Sequence, residues 1–194
     1  RHYSQRHVQA IVLSQSYLNN RNVKYRDNDE SSEENLTLRL GSIEQETKLR
    51  MENTSSWSVW KVKAGFDLNY SRYKSNEYRK VFANALREYD YHTDLSLWRW
   101  GMFASVDYAA PDKSFTASMG VRTDGNNYSD KMKELWRQLS PRLSVSYRLI
   151  EGLTLSGHVG LYYQLPSYTA LGFKGEEGEY VNRHLDYISV SQES

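Results

Sequence analysis

Clustered carboxylates are the first groups in this chain that could do chemistry. Five of them share one polar segment, where a hard cation such as Ca²⁺ could bind: Asp27, Asp29, Glu30, Glu33 and Glu34. The segment lacks the glycine turn and the bidentate glutamate of an EF-hand, so a solvated loop is the favoured interpretation over a cation site. The same interpretation is favoured for the acidic run at residues 176–179.

Histidine, serine and paired carboxylates give no stronger indication of a catalytic site. The spacing of the five histidines is not that of metal ligands: His2, His7, His92, His158 and His184. Serine occurs without a nucleophile elbow, and no pair of acids is singled out for glycoside hydrolysis. We therefore expect no catalytic residues, no metal, no cofactor and no enzyme activity.

Composition narrows the class of protein. The 194 residues are enough for one domain, and a formal charge of +1 argues against a nucleic-acid partner. The chain has no stretch of about 18 apolar residues, so no transmembrane helix is predicted. It also has no cysteine. The mean hydropathy of −0.77 is low, yet the chain has 16 Tyr and 5 Trp. This combination favours β-structure with one polar and one amphipathic face.

Alternation of apolar and polar residues is the dominant pattern, and it predicts eight or nine strands. In the run at 142–149, Leu143, Val145 and Tyr147 share one face, and Ser144 and Ser146 share the other. Similar runs lie at 61–71, 98–108, 114–124 and 153–164, with less regular ones at 7–18, 36–51 and 185–191.

The predicted connections alternate between short and long. Short ones lie at 53–56, 109–113 and 150–152, and long polar ones at 19–35, 72–93, 126–138 and 166–184. An antiparallel up-and-down meander places the short turns at one end and the long loops at the other, as in outer-membrane barrels. Apolar residues at helical spacing predict short helical turns in two long loops, at 77–88 and 130–139.

The apolar faces could contact lipid or a second sheet. Tyrosines near the ends of these faces fit an interfacial girdle, although tyrosine also favours strands in general: Tyr70, Tyr108, Tyr147 and Tyr163. The alternatives to a membrane barrel are a soluble aromatic-rich β-sandwich that binds carbohydrate and, less favoured, a surface enzyme. Loop asymmetry and strand length favour the barrel.

Two consecutive strands carry a more specific pattern. The run 139–147 reads LSPRLSVSY, and the run 160–168 reads GLYYQLPSY. Together they resemble the barrel of TonB-dependent receptors, especially those of Bacteroidetes. The flanking runs GVRTD at 120–124 and LDYI at 185–188, with Asn182 before the second, resemble the neighbouring strands of that family. The resemblance is specific over about 115–190 and only architectural before that.

This resemblance implies a 22-stranded outer-membrane β-barrel, plugged from inside, that imports a siderophore–iron complex, a cobalamin or a glycan. Its implied partners are outer-membrane lipid, the plug domain, the remaining barrel strands, the nutrient and the TonB complex, with no nucleic acid. The chain shows no plug domain, TonB box or aromatic C-terminal residue. Residues 1–194 are therefore expected to form a partial β-barrel domain without plug or C-terminal strands, which could not transport by itself.

Candidate ligand-binding residues follow from this placement. A row of cations on the polar face would attract anions, and comprises Arg39, Lys61, Lys63, Arg99, Arg122, Arg142 and Arg148. Pairing with acids of the plug or of neighbouring strands is the alternative. Gln164, Pro166 and Tyr168 lie where a strand meets an outer loop. The predicted ligand-binding set is Arg122, Arg142, Arg148, Gln164 and Tyr168.

Overall fold

The computed structural model describes residues 6–82, 86–175 and 178–193. Eight strands form one sheet: β1 (Arg6–Tyr25), β2 (Leu36–Trp57), β3 (Trp60–Phe82), β4 (Leu86–Ala109), β5 (Phe115–Asn126), β6 (Ser140–Ile150), β7 (Leu153–Gln164) and β8 (Ile188–Glu193). Each strand pairs antiparallel with the next, in the order β1 to β8. The predicted all-β, up-and-down meander is confirmed, with eight strands.

The short turns lie at one end of the sheet, as predicted. Glu151 and Gly152 connect β6 to β7, and Gly152 has a φ of 86°, a left-handed conformation that costs glycine little. Residues 110–114 connect β4 to β5. The turn between β2 and β3 is at Ser58 and Val59, so its predicted position at 53–56 was wrong.

The prediction of a long loop at 72–93 with a helix at 77–88 was also wrong. The register between β3 and β4 continues without a shift from Trp60 opposite Tyr108 to Phe82 opposite Leu86. Both faces of this outer half are largely polar, so the pattern resembled a loop although the two strands remain paired. Residues 83–85 lie outside the described residues. The strand β1 likewise extends to Tyr25, so the first outer loop is only 26–35.

The other predicted helical segment is confirmed as two short turns. The helix α1 (Asp130–Lys133) is followed by a 3-10 turn at Leu135–Gln138. A second helix, α2 (Tyr168–Leu171), lies in the loop after β7. Serine side chains cap both helices, because Ser129 accepts from the N–H of Met132 and Ser167 from that of Ala170.

Aromatic pairs mark both ends of the apolar face. Trp60 and Tyr108 have ring centroids 4.8 Å apart at the short-turn end, and Tyr70 and Trp98 have the same separation further along. Trp60 and Tyr70 are ten residues apart, which is about 33 Å of strand, or about 25 Å of height at a tilt of about 40°. That height matches the apolar band of an outer-membrane barrel. Of the four predicted girdle tyrosines, Tyr70 and Tyr108 belong to these pairs, Tyr147 lies opposite Phe115 near the short turns, and Tyr163 lies one residue before the loop-side end of β7.

The apolar side chains of this band lie on the surface. Leu13 is 74% exposed, and Met119 and Leu155 are each 65% exposed. These exposed fractions are as large as those of residues in the loops. The described residues form one sheet, so there is no second sheet among them to cover this face. The described residues therefore do not show the second layer that the sandwich alternative requires.

Candidate functional site: the polar face and its covering loops

Two loops fold back over the outer half of the polar face. Residues 127–139 follow β5, and residues 165–175 and 178–187 follow β7. Their apolar side chains contact apolar side chains of β3 and β4 in a buried group, which we call the mouth cluster: Tyr73, Leu95, Leu97, Tyr128, Met132 and Leu171. Met132 and Leu171 are completely buried. Burial of such side chains stabilises the loop position by about 1.5 to 3 kcal/mol each.

Hydrogen bonds join the two loops to each other and to the end of β5. The Tyr128 hydroxyl donates to the carbonyl of Leu171 at 2.7 Å. The Asn126 amide donates to the Tyr187 hydroxyl at 2.8 Å, and Arg183 donates to the Tyr128 carbonyl at 2.5 Å. The loops therefore form one covering unit that is attached to the sheet.

Close backbone approach attaches the second loop to β4. The Thr93 hydroxyl donates to the Gly172 carbonyl at 3.1 Å, and the Tyr180 hydroxyl donates to the Asp94 carbonyl at 2.6 Å. A Cβ at Gly172 would overlap the Thr93 methyl group and lie 2.9 Å from the Tyr168 carbonyl. Glycine at this position allows the loop to lie against the strand.

Beneath the loops, Glu46 on β2 is the centre of a polar network. It accepts hydrogen bonds from Asn69 at 2.9 Å and from Ser71 at 3.2 Å, and it pairs with Lys48 at 2.6 Å. Arg99 on β4 also donates to Glu46. Three strands are thereby connected on one face, with the carboxylate neutralised by two cations.

Tyr168 of α2 joins this network to the covering loops. Its hydroxyl donates to Ser71 at 3.0 Å and is 3.4 Å from Glu46. Its ring lies 5.8 Å from the Arg99 guanidinium, a cation–π distance, and 5.9 Å from the Tyr73 ring. The predicted ligand residue Tyr168 thus lies where the loops contact the charged part of the polar face.

Arg122 on β5 occupies a second charged arrangement. Its guanidinium forms two hydrogen bonds with Asp67, at 3.0 and 3.1 Å, and pairs with Asp124. It passes over Gly101, where a Cβ would lie only 2.5 Å from the guanidinium and 2.6 Å from Asp124. Arg122 therefore pairs with acids of β3 and of its own strand β5, which agrees with the alternative interpretation that the cations of the polar face are paired with acids.

The other predicted ligand residues lie at different heights. Arg142 stacks on the Tyr162 ring at 4.5 Å and, with Arg122, lines an open groove of about 490 Å³ on the polar face. Gln164 ends β7 on the loop side. Arg148 is opposite Thr154 beside the short turn, at the other end of the sheet. The fold brings Arg122 and Arg142 to one groove and separates Arg148 from Gln164 and Tyr168.

The predicted row of cations requires one correction. The register places Arg39 opposite Tyr78, on the same side of the sheet as the apolar band, where it pairs with Glu33 at 3.2 Å. It is not on the polar face. Arg39 does alternate with Leu38 and Leu40 as predicted, but the two leucines, and not Arg39, lie on the polar face of the sheet.

Burial affects the tyrosines of the covering loops. Removal from water raises the pKa of Tyr187 to about 12, against the lowering effect of the hydrogen bond from Asn126. Burial also raises the pKa of Tyr128 and of Tyr168. The three phenols are therefore neutral hydrogen-bonding groups at neutral pH.

The sequence reasoning missed Glu46, Asp67 and Asp124 as partners of the polar face. A signal was present for Glu46, because Glu44, Glu46 and Lys48 continue the period of two within β2. Nothing in the sequence pairs Asp67 with Arg122, since they are 55 residues apart. Leu95 and Leu97 were detectable as apolar residues in the polar row of β4, which indicates that something covers them.

The described residues contain no group of three or more histidines or acids arranged to hold a metal ion. In the acidic loop, Asp29 accepts from the N–H of Ser31 and from Asn35, and these hydrogen bonds, led by those of Ser31, lower its pKa. Glu176 and Glu177 lie outside the described residues. In the part of the chain that the structure describes, no helix has the length and apolar character to cross a bilayer.

Comparison with known proteins identifies the family. Searches of curated proteins and of solved structures found no match. A family model described as "TonB dependent receptor-like, beta-barrel" matches residues 1–191. This match covers nearly the whole chain and agrees with the antiparallel meander, the apolar band and the polar face, so the chain belongs to the TonB-dependent receptor β-barrel family.

Proposed function

We propose that this chain is part of the barrel wall of an outer-membrane receptor that imports a scarce nutrient, such as a siderophore–iron complex, a cobalamin or a glycan. The family is one of receptors and transporters, not of enzymes. The observation that carries the proposal is the contrast between the two faces. One is an apolar band about 25 Å high that ends in aromatic pairs, and the other is lined by paired charges.

In this proposal the polar face is the lumen and the covering loops close its outer mouth. Nutrient would contact Gln164, Tyr168 and the groove of Arg122 and Arg142. Arg148, close to the short turns, would contact cargo only after it had crossed the barrel. No catalytic step and no bound cofactor belongs to this function.

The proposal also concerns what surrounds the sheet. Within the described residues β1 and β8 are its two edges, and exposed edges pair readily with other strands. We propose that these edges join the remaining strands of a 22-stranded parent barrel, that a plug domain fills its lumen, and that TonB supplies the energy. Residues 1–194 would then be a partial barrel domain that does not transport alone. The LSPRLSVSY and GLYYQLPSY runs support a Bacteroidetes-type receptor.

The test uses the whole parent protein, expressed with its natural export signal. We expect a heat-modifiable, detergent-soluble barrel in the outer-membrane fraction, and loss of uptake of one nutrient when the gene is deleted. Recovery as a soluble monomer without detergent would contradict the proposal. Complementation with Arg142→Gln or Gln164→Ala, compared with the apolar-face control Leu143→Val, would then test the ligand residues.

A further inference from the structure

Three aromatic rings follow one another along the outer half of β4, on the side of the sheet that carries the polar face. Tyr89 and Tyr91 are on β4, where the register places them opposite Arg79 and Glu77 of β3. Their rings are nearly parallel, at 6°, with centroids 5.8 Å apart. Phe173, from the second covering loop, continues the series with its ring 5.6 Å from that of Tyr91. We call Tyr89, Tyr91 and Phe173 the aromatic platform.

The aromatic platform is open to solvent on the outside of the covering loops. Phe173 is 41% exposed, whereas Leu171, two residues earlier, is completely buried in the mouth cluster. Tyr89 and Tyr91 are partly buried and lie farther from the membrane band than the contact that holds the loop, in which the Thr93 hydroxyl donates to the carbonyl preceding Phe173. A ligand can therefore reach the rings while the covering loops remain docked on the sheet.

A charged pair lies beside the two tyrosines. The Arg79 guanidinium is 2.5 Å from the Glu77 carboxylate. Residues directly opposite on one face of an antiparallel pair have Cβ atoms about 4.5 to 5.5 Å apart, so both side chains border the rings. The guanidinium supplies N–H donors and the carboxylate supplies acceptors. Because the two charges cancel, the pair can form hydrogen bonds with a ligand without requiring that the ligand be charged.

Sugars have the surfaces that match this arrangement. One face of a pyranose ring presents C–H groups, which pack against the electron-rich face of an aromatic ring, and the rim presents hydroxyl groups that donate and accept hydrogen bonds. An anionic metal chelate would instead be attracted by an excess of cations, which the Arg79–Glu77 pair does not provide. Apolar ring faces beside a self-neutralised pair therefore favour a neutral sugar.

We propose that the aromatic platform binds sugar rings and that the cargo of this receptor is a neutral oligosaccharide, captured first on the outside of the covering loops. The inference rests on the proposed function, since it requires the polar face to be the path of the cargo, and it selects one of the three nutrient classes named there. Tyr89 and Tyr91 lie in the segment whose pattern predicted a loop, so the fold is needed to bring them beside Phe173.

The experiment measures binding of the purified whole protein, in a detergent without a sugar headgroup, to an array of neutral oligosaccharides. The dissociation constant is then measured in solution for the oligosaccharide that gives the strongest signal. We expect the double variant Tyr89→Ala, Tyr91→Ala to bind it at least about tenfold more weakly, because two ring contacts are lost. Tyr91→Phe keeps the ring and should bind like the parent. Tyr78→Ala is the matched control, because Tyr78 is on the same hairpin but faces the opposite side, where it pairs with Asp90 in the register.

The inference is overturned if no neutral oligosaccharide on the array binds, if the double variant binds as tightly as the parent, or if Tyr78→Ala is equally impaired. Cells that carry the parent protein should take up the same oligosaccharide, and a deletion strain should not. Binding without uptake would mark a surface glycan instead of cargo and also overturns the inference.

Heat-modifiability of each variant is measured in parallel, so that failure of the inference is separated from failure of the proposed function. A parent protein without heat-modifiability contradicts the proposed function itself. A heat-modifiable parent that imports a nutrient without sugar rings contradicts only the oligosaccharide inference.

Discussion

The β3–β4 hairpin and the two covering loops extend from the same end of the sheet but are held in place by different interactions. The hairpin continues upward for more than ten residues per strand beyond the Tyr70–Trp98 pair, with every residue in register. The covering loops, 127–139 and 165–175 with 178–187, leave the ladder and bury apolar side chains on the polar face. The hairpin is held by backbone hydrogen bonds, and the loops by burial and a few side-chain contacts. The loops should therefore be much more sensitive to single substitutions.

The largest effect is expected at Leu171. Leu171→Asp would place a carboxylate in a completely buried site of the mouth cluster, which should cost about 4 kcal/mol or more of loop docking. Amide hydrogen exchange in 127–139 and 165–187 should rise strongly, while exchange in β3 and β4 below Tyr70 should not. Phe173→Asp, on the same loop but 41% exposed, is the control with a small effect. Unchanged exchange in Leu171→Asp would show that burial does not hold the loops.

Alkaline pH should loosen the covering loops but not the hairpin, without any mutation. Burial raises the pKa of Tyr187 from 10.0 to about 12, so docking favours the neutral phenol. The contribution of the neutral phenol to the free energy of loop docking is complete below about pH 10 and is lost as pH rises through 12. A spin label at Lys131 should become more mobile in this window, and one at Asp90 on the hairpin should not. Tyr187→Phe should reduce the change, and equal mobility increases at both labels would contradict the account.

A smaller effect is expected at Tyr168. Tyr168→Phe removes the hydrogen bonds to Ser71 and Glu46 but retains the ring, which should cost about 1 kcal/mol. Faster hydrogen exchange at residues 168–171 is the expected result. Tyr163→Phe, on the apolar face, provides the control. If both variants exchange like the parent protein, the hydroxyl of Tyr168 does not fasten α2 to the sheet.

The smallest effect is expected on the hairpin. Glu88→Gln removes a pair at 3.6 Å between the exposed Glu88 and the largely buried Lys80, and pairs near the surface contribute about 0.2 to 1 kcal/mol. Hydrogen exchange of residues 72–82 should remain close to that of the parent protein. Opening of the hairpin in this variant would show that side-chain pairs, rather than the backbone ladder, hold it.

The same contrast explains which parts were predictable. The strand predicted at 153–164 is β7, and that at 142–149 lies within β6, because apolar and polar residues alternate there. At 72–93 the alternation is between polar residues, and ion pairs such as Arg72 with Asp94 join residues 22 apart, which no local pattern reveals. The segment 130–139 was predicted to be helical from its apolar spacing, but its burial against Leu95 and Leu97 depends on the tertiary fold. For Arg122 the sequence indicated its face and not its partner Asp67.

The central claim is that one face of this sheet contacts lipid and the other lines a polar lumen. The most direct test is a cysteine scan of residues 142–147 in the whole protein within outer membranes, with the unsubstituted protein as the background for labelling; this chain itself contributes no cysteine. We predict that Leu143→Cys, Val145→Cys and Tyr147→Cys resist a water-soluble thiol reagent and react with a lipid-soluble one. Arg142→Cys, Ser144→Cys and Ser146→Cys should show the reverse. Equal labelling of both sets by the water-soluble reagent would contradict the account.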